Sequence, residues 1–584
     1  MSDVPTPAEP DRPGGAAGPV DPRERLRASL ASDPLVPLTP SSAASTDSPD
    51  SPGSPIPPDA PDAPSVPPAT PSGPAVGGGR RRADGGGRRS RGGDPGAGGG
   101  AGGGAGGGSG RGGRRSSGGA SRRVDLLIAL ALVLPSLVAA AVVVIGEQDP
   151  SPEALAGRGP TSAALTASTV VCPSGLGSST APVRVVRAPG VDGGELAVRS
   201  APAGGAARDS ELGDASQVEV TGGAGAVVPS STGATVVEGQ GAAAPGVVAG
   251  RRDRLAAPEC ATPGYDEWLV GLGASARYRT VIEIVNPDPG GAVVDVELHG
   301  AVGVVDEPEL RGVQVPGGGV RRIDLAAVAP STEITAARVA VLRGRASVTA
   351  RTTRDLLGRS RAVTDYQPSD VPERDRLILG VPARPSEATL YLANPGDDEL
   401  RVRPRLVTAD AVFTAAGTEA VSVPPGGVTA VELTRVLRGD TAAGVVGLRL
   451  QATAPVAASL RVVTAQGDLA LLAPAIAVSD PSTTVLPAGA ASLVLGGLAR
   501  TGNVEVTAIG ATGSAAGTQT VELGADRTAV VRLPAQAVAV SVVSRAGAVS
   551  GVVTGVVGGR TGGLAVVRLR APELRTEIPA VEPD

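Results

Sequence analysis

The chain has 584 residues and a formal net charge of −5, with aromatics at 1% against 41% hydrophobic residues. Any core is therefore built from Val, Leu and Ala, and β-branched Val favours strands. All 53 basic residues are arginine and there is one histidine, which removes P-loop phosphate binding, Ser-Lys hydrolysis and Schiff-base chemistry, all of which need lysine.

Residues 1–75 are rich in Pro, Ser, Asp and Ala and hold 4 Arg against 10 acids, a balance of −6. Residues 76–125 hold 11 Arg against 3 acids, a balance of +8, in runs such as "RGGDPGAGGGAGGGAGGGSGRGGRRSSGG". Neither composition buries enough apolar surface to offset chain entropy, so 1–123 reads as a disordered tail, Pro/Ser-rich and then Gly/Arg-rich. Within it, "DPRERLRASLASDPL" (21–35) offers Asp21 as a cap, Pro22 in a first turn and Leu26 and Leu30 four apart. It reads as a transient helical turn in a linker, with a partner-docking helix as the alternative. The Gly/Arg segment resembles RNA-binding RGG tracts but lacks the interleaved aromatics that stack on bases. No nucleic acid is expected. Beside a membrane the segment reads as attraction to anionic lipid heads, worth ~1 kcal/mol per basic residue.

Leu126–Gly146 contains 21 residues without a charge. At 1.5 Å per residue such a helix spans a bilayer core of ~30 Å, and Pro135 is tolerated in it. The segment 124–146 is the expected transmembrane helix. Arg114, Arg115, Arg122 and Arg123 flank it on one side, and Glu147 and Asp149 on the other. The positive-inside rule then places the tail in the cytoplasm and residues 147–584 outside, as a single-pass protein of the cell membrane. A cleaved signal peptide is the alternative, but the apolar run lies far from the N-terminus and continues past Ala139–Ala141 through Ile145.

After a linker (147–164), residues 165–265 form an irregular β-rich segment that holds both cysteines. On the outer side of a membrane oxidation is permitted, and Cys172 and Cys260 read as a disulfide. It would close a loop of about 90 residues, worth ~4–5 kcal/mol in the chain-entropy model. Two cysteines with no nearby histidine make a poor metal site.

The remainder is repetitive. "TVIEIVNPDPGGAVVDVEL" (from Thr280) matches "TLYLANPGDDELRVRPRLV" (from Thr389), with Asn286-Pro287 and Asn394-Pro395 spaced 108 residues apart. "VQVPGGGVRRIDL" (313–325) matches "VSVPPGGVTAVEL" (421–433) at the same offset. A third, decayed copy runs through "NVEVTAIG" (503–510), "VELGADRTAVVRL" (521–533) and "VAVSVVSRAGAVSGVV" (538–553). Apolar residues alternate with a period of two, punctuated by Pro-Gly and Asn-Pro turns. The expected fold is mainly β: tandem immunoglobulin-like sandwiches over 266–367, 374–480 and a shortened 481–560, followed by a C-terminal tail, 561–584. The alternative is a β-propeller in which each unit supplies two four-stranded blades.

The tail, the span, "VVCP" (170–173), "EWLVGLGAS" (267–275) leading into "TVIEIVNP", and the "VPGGG" turn together resemble an actinobacterial family of membrane-anchored, extracytoplasmic proteins with a domain of unknown function. The resemblance covers about 165–560. It implies location and β-content and brings no catalytic residue.

Chemistry is sparse. His299, at the end of "VDVELHG", reads as an exposed edge residue. "GLGASA" (271–276) mimics a dinucleotide fingerprint but is followed by a strand-like run rather than the required helix. Asp306 with Glu307, and Asp397 and Asp398 with Glu399, read as solvated turn acids rather than a glycosidase pair. No His, Cys and acid cluster has transition-metal spacing, and no cofactor is expected. Tyr265, Trp268 and Tyr278 are the one concentration of aromatics. They are candidate ligand contacts if exposed, and core if buried. The sequence therefore points to a non-catalytic binding or scaffolding protein of the cell envelope. Its partner would be an envelope protein or a wall polymer. Glycan or peptidoglycan recognition is the alternative, and a wall-modifying hydrolase a third reading.

Overall fold

The computed structural model describes residues 161–578 apart from eight short stretches: 177–180, 203–207, 222–224, 229–231, 254–255, 332–334, 416–418 and 560–561. The expected tail, the transmembrane segment and its flanking arginines lie outside the described residues. No helix among the described residues is long and apolar enough to cross a membrane. What is described is mainly β.

Seven strands recur four times in one order. The first strand of each unit is Ala167–Cys172, Asp266–Val270, Glu373–Leu379 and Ser482–Val485; the second is Val183–Arg187, Tyr278–Val285, Glu387–Ala393 and Ala490–Gly496. The third is Gly194–Ser200, Ala292–Gly300, Leu400–Val407 and Gly502–Gly510; the fourth is Ser216–Val220, Val313–Val315, Val421–Val423 and Ala515–Leu523. The fifth is Ala226–Val228, Gly319–Asp324, Val428–Glu432 and Ala529–Arg532. The sixth and seventh are Thr235–Gln240 and Val247–Arg251, Ala336–Arg343 and Ser347–Arg354, and Ala537–Ser544 and Val549–Val557; in the third unit they merge into one strand, Gly447–Val463, which passes from one sheet to the other. In every unit one sheet has the order first, sixth, third, fourth, and the other the order fifth, second, seventh. In units two to four an eighth strand (Val363–Gln367, Leu469–Leu472, Gly563–Arg568) pairs with the seventh. In unit one a single bridge, Gly250 to Glu259, stands at that place.

Residues 165–265, expected to be irregular, thus follow the same order as the rest. Their kinship is hidden because they lack the Asn-Pro pair and the VPGGG-type turn on which the 108-residue offset is visible, although Pro189-Gly190 follows their second strand. The last copy, expected to be shortened, keeps all eight strands through Arg568.

Each unit encloses a core between its two sheets, for example Leu269, Ile282, Val296, Ile323, Val339 and Val348 in unit two. The opposite strand faces are buried too. Val171 and Val236 of unit one pack on Val285 and Val320 of unit two. Trp268 and Val270 of unit two pack on Tyr391, Val428 and Ala457 of unit three. Leu379 of unit three meets Val494 and Val552 of unit four, and Val485, Ile509 and Ala539 of unit four return to Val186 of unit one. The shared cores therefore close on themselves. Because both faces are covered, strands such as "VIEIV" are almost continuously apolar. Antiparallel pairing of Thr161–Ala164 with Arg575–Ile578 joins the two ends of the described chain.

The 108-residue repeat has a physical basis in a buried asparagine. Asn286 Nδ2 donates to the carbonyls of Gly290 (2.8 Å), Val315 (3.2 Å) and Pro316 (3.0 Å), and its Oδ1 accepts from Asp288 N (3.0 Å). Asn394 does the same with Asp398, Val423 and Pro424, and with Gly396 N, at 2.8, 3.3, 3.0 and 2.9 Å. Each side chain ties the end of the second strand to the turn before the fifth, where Gly318 and Gly426 take positive φ (67° and 60°). Alanine removes all four bonds of a buried side chain, while Pro424 keeps its bond from Gly427 N, so Asn394→Ala should cost about 2 kcal/mol in urea unfolding. Asn286→Ala should match it.

Candidate functional site

Units two to four carry an eighth strand, and among the described residues unit one has only the Gly250–Glu259 bridge in its place. The gap lies on the seam where unit four meets unit one. A cavity of about 460 Å³ opens there, bounded by Val247–Arg251, Pro258–Thr262, Thr483–Val485 and the stretch from Val567 to Glu573. Its size suits a small ligand or a few residues of a partner.

The back of the seam is polar. Glu259, 5% exposed, receives the Arg568 guanidinium as a fork, Nε to Oε1 and Nη2 to Oε2, each at 2.7 Å. Arg570 Nη2 adds a third bond at 2.8 Å. Arg568 also donates to the carbonyls of Pro474 (3.2 Å) and Ser369 (2.8 Å). One guanidinium on the eighth strand of unit four thereby contacts chain from each of the other three units. Burial pushes the Glu259 carboxyl up, but the two arginines outweigh it and hold it at about 2.

Similar buried links run between the other eighth strands. Asp365 accepts from Leu471 N (2.8 Å), Asp468 from Leu564 N (2.9 Å), and the Tyr366 hydroxyl donates to the Ser174 carbonyl of unit one (2.7 Å). Asp370 pairs with Arg376 and accepts from Ala458 N (3.0 Å). Burial pushes Asp468 up to about 6, against its bond from Leu564, and Asp370 up to about 6, against Arg376. A carboxyl raised in the folded state favours folding fully below its ordinary value near 3.8 and loses that contribution as pH rises through 6. The protein should therefore melt higher at pH 5 than at pH 7.5. Asp468→Asn, which keeps an acceptor for Leu564, should raise the melting temperature at pH 7.5 and flatten the pH dependence; a lower melting temperature at pH 7.5 would contradict this.

Two donors in the cavity wall are unspent. Thr483 is 2% exposed, and its Oγ1 has no hydrogen-bond partner among the described residues; the same holds for Arg570 Nε. The two residues are neighbours, since Thr483 N donates to the Arg570 carbonyl (3.3 Å). Both residues line the cavity, with the two unpartnered atoms buried in its wall. Among the described residues no group of three His, Cys, Asp or Glu side chains converges as a metal site.

The residues singled out in the sequence are distributed as follows. Cys172 and Cys260 form the disulfide, with Cys260 lining the seam cavity beside Glu259. Trp268 is 4% exposed, packed between units two and three with its ring 4.7 Å from that of His299. Tyr278 lies under the Arg461 guanidinium (3.8 Å), which also covers Tyr391 (4.6 Å). Tyr265 is 63% exposed. His299 is not the exposed edge residue expected: it is 2% exposed, with Nδ1 2.8 Å from the Gly426 carbonyl of the next unit and Nε2 3.0 Å from Glu297. The reason is that the strand face expected to be solvated is covered by unit three. Trp268→Ala should cost about 3 kcal/mol, read as a large fall in melting temperature; an unchanged melting temperature would contradict the packing.

The hub around Glu259 and Arg568 is not found by sequence reasoning, because its members are 309 residues apart. A signal is present nonetheless: "LAVVRLR" places charge inside an apolar strand, and a charge so placed needs a partner.

No curated protein matches the chain. The model of a family of unknown function, DUF5719, matches residues 215–534, from the fourth strand of unit one to just beyond the fifth strand of unit four. That stretch is more than half of the sequence, and the chain belongs to this family of unknown function.

Proposed function

We propose that the chain is a non-catalytic binding or scaffolding protein of the cell envelope, anchored by residues 124–146 with its tail in the cytoplasm, and that it engages its partner at the seam between units four and one. The observation that carries this is the seam cavity, lined by Thr483, Arg570 and the Glu259–Arg568 pair, at the place where units two to four carry an eighth strand. The Cys172–Cys260 disulfide supports an oxidising, extracytoplasmic setting. On the cytoplasmic side, the Gly/Arg segment would hold anionic lipid heads.

We read the units as immunoglobulin-like at their centre, since second pairs with fifth and third with sixth, while the first, fourth and seventh strands have changed sheets. At the larger scale the cycle of shared cores favours a propeller arrangement with two blades per unit. Sandwich and propeller then describe one packing at two scales.

The test is a photo-crosslinking amino acid placed at Thr483 in intact cells, with the exposed Asp306 as control position. A discrete adduct from Thr483 alone supports the seam. Equal labelling at both positions counts against it. Wall-glycan recognition is the second reading, favoured by exposed Tyr265. It expects the purified chain to pellet saturably with insoluble cell wall from the source organism and to be competed off by soluble wall fragments. Protease added to intact cells should cut the described region and spare residues 1–120; the reverse pattern would overturn the orientation.

A further inference from the structure

The fourth strand forms the edge of its sheet, yet it differs between units. It has five residues in unit one, three in units two and three, and nine in unit four, Ala515–Leu523. That longest copy pairs with Gly502–Gly510 on one side, in unbroken register from Gly517 to Leu523, and has no partner on the other side among the described residues. Its sequence, AAGTQTVEL, carries one charge and no proline or arginine, and six of its nine residues are exposed. Proteins usually blunt such an edge by shortening it or by adding charge, proline or a bulge. Units two and three use the first device, while unit four keeps its length and carries only a register shift at Ala516, near the start of the strand.

We propose that Ala515–Leu523 is a self-association edge, to which the same strand of a second copy of this chain adds antiparallel about a two-fold axis at Gln519. The sequence is self-complementary in that register. Gln519 faces itself and Thr518 faces Thr520, a pairing that hydrogen-bonds across antiparallel strands. The single carboxylate, Glu522, falls opposite the register shift at Ala516, so no like charges oppose each other. Two four-stranded sheets become one eight-stranded sheet, and the contact is isologous and closed, giving a dimer rather than a fibre. A near-neutral edge of this kind offers a charged peptide no complementary charge, whereas a second copy supplies a matching strand in a defined register.

The experiment uses the purified full chain in detergent. Sedimentation should show a concentration-dependent dimer. Gln519→Cys should give a covalent dimer on mild oxidation, and Asp306→Cys should not. Thr518→Lys with Thr520→Lys sets lysine against lysine and should weaken the dimer about tenfold or more, with the melting temperature unchanged because both positions are exposed. Mixing that variant with Thr518→Glu/Thr520→Glu should restore a mixed dimer. A chain that remains monomeric throughout, or a dimer that ignores the lysine pair, overturns the proposal. A monomer that instead captures an unrelated extended peptide assigns the edge to another protein and overturns self-pairing equally.

Discussion

Glu259→Ala should lower the unfolding free energy by about 3–5 kcal/mol, because it leaves the Arg568 charge buried without its partner. Arg568 is 3% exposed and cannot turn to water without pulling its bonds from Ser369 and Pro474, so the loss spreads to every unit it touches. A double variant, Glu259→Met with Arg568→Met, removes both charges and should recover most of the loss, since apolar replacement of a buried pair is close to neutral. The acid dependence follows from the same pair. With its carboxyl held at about 2 in the fold against an ordinary 4.5, Glu259 contributes stability that is full above pH 4.5 and lost as pH falls toward 2. Denaturant unfolding from pH 7 to 2 should show that loss in the native chain and not in the double-methionine variant. A Glu259→Ala chain as stable as the native one would remove the hub from the account of ring closure.

Removing the disulfide, by Cys172→Ser with Cys260→Ser or by reductant, should cost about 4 kcal/mol on the chain-entropy model for a separation of 88 residues. Its position adds a second effect. Cys172 lies in the first strand of unit one, fully buried, and Cys260 follows Glu259 directly. The bridge therefore holds Glu259 against Gly250 and Arg568 at the seam. The two changes act on one structural element, so combining Glu259→Ala with loss of the disulfide should cost less than the sum of the single effects. Strict additivity in denaturant unfolding would show that the bridge and the ion pair stabilise the protein independently. Either change should also loosen the seam and weaken any adduct captured at Thr483. By contrast, the Ala515–Leu523 edge, on the outer side of unit four, should keep its behaviour as long as the fold persists.

The sequence by itself determined the β character, from Val-rich runs of period two. It also revealed the kinship of units two and three, from the Asn-Pro and Pro-Gly turns, because turns are local: a proline without a donor and a glycine at positive φ act within a few residues. The disulfide was legible because two cysteines admit a single pairing. The four-fold recurrence was only partly legible. Unit one has the same strand order but neither the Asn-Pro pair nor the VPGGG-type turn, keeping only Pro-Gly pairs such as Pro189-Gly190, and topology is conserved by packing rather than by any short motif. Tertiary structure alone decided which strand faces are buried twice. His299 lies on a face that sequence reasoning leaves to solvent and the neighbouring unit covers, and Trp268, open between ligand contact and core in the sequence, is buried on that same face. The seam was likewise out of reach, since Glu259, Arg568 and Thr483 come from distant segments and meet only when the last unit packs on the first.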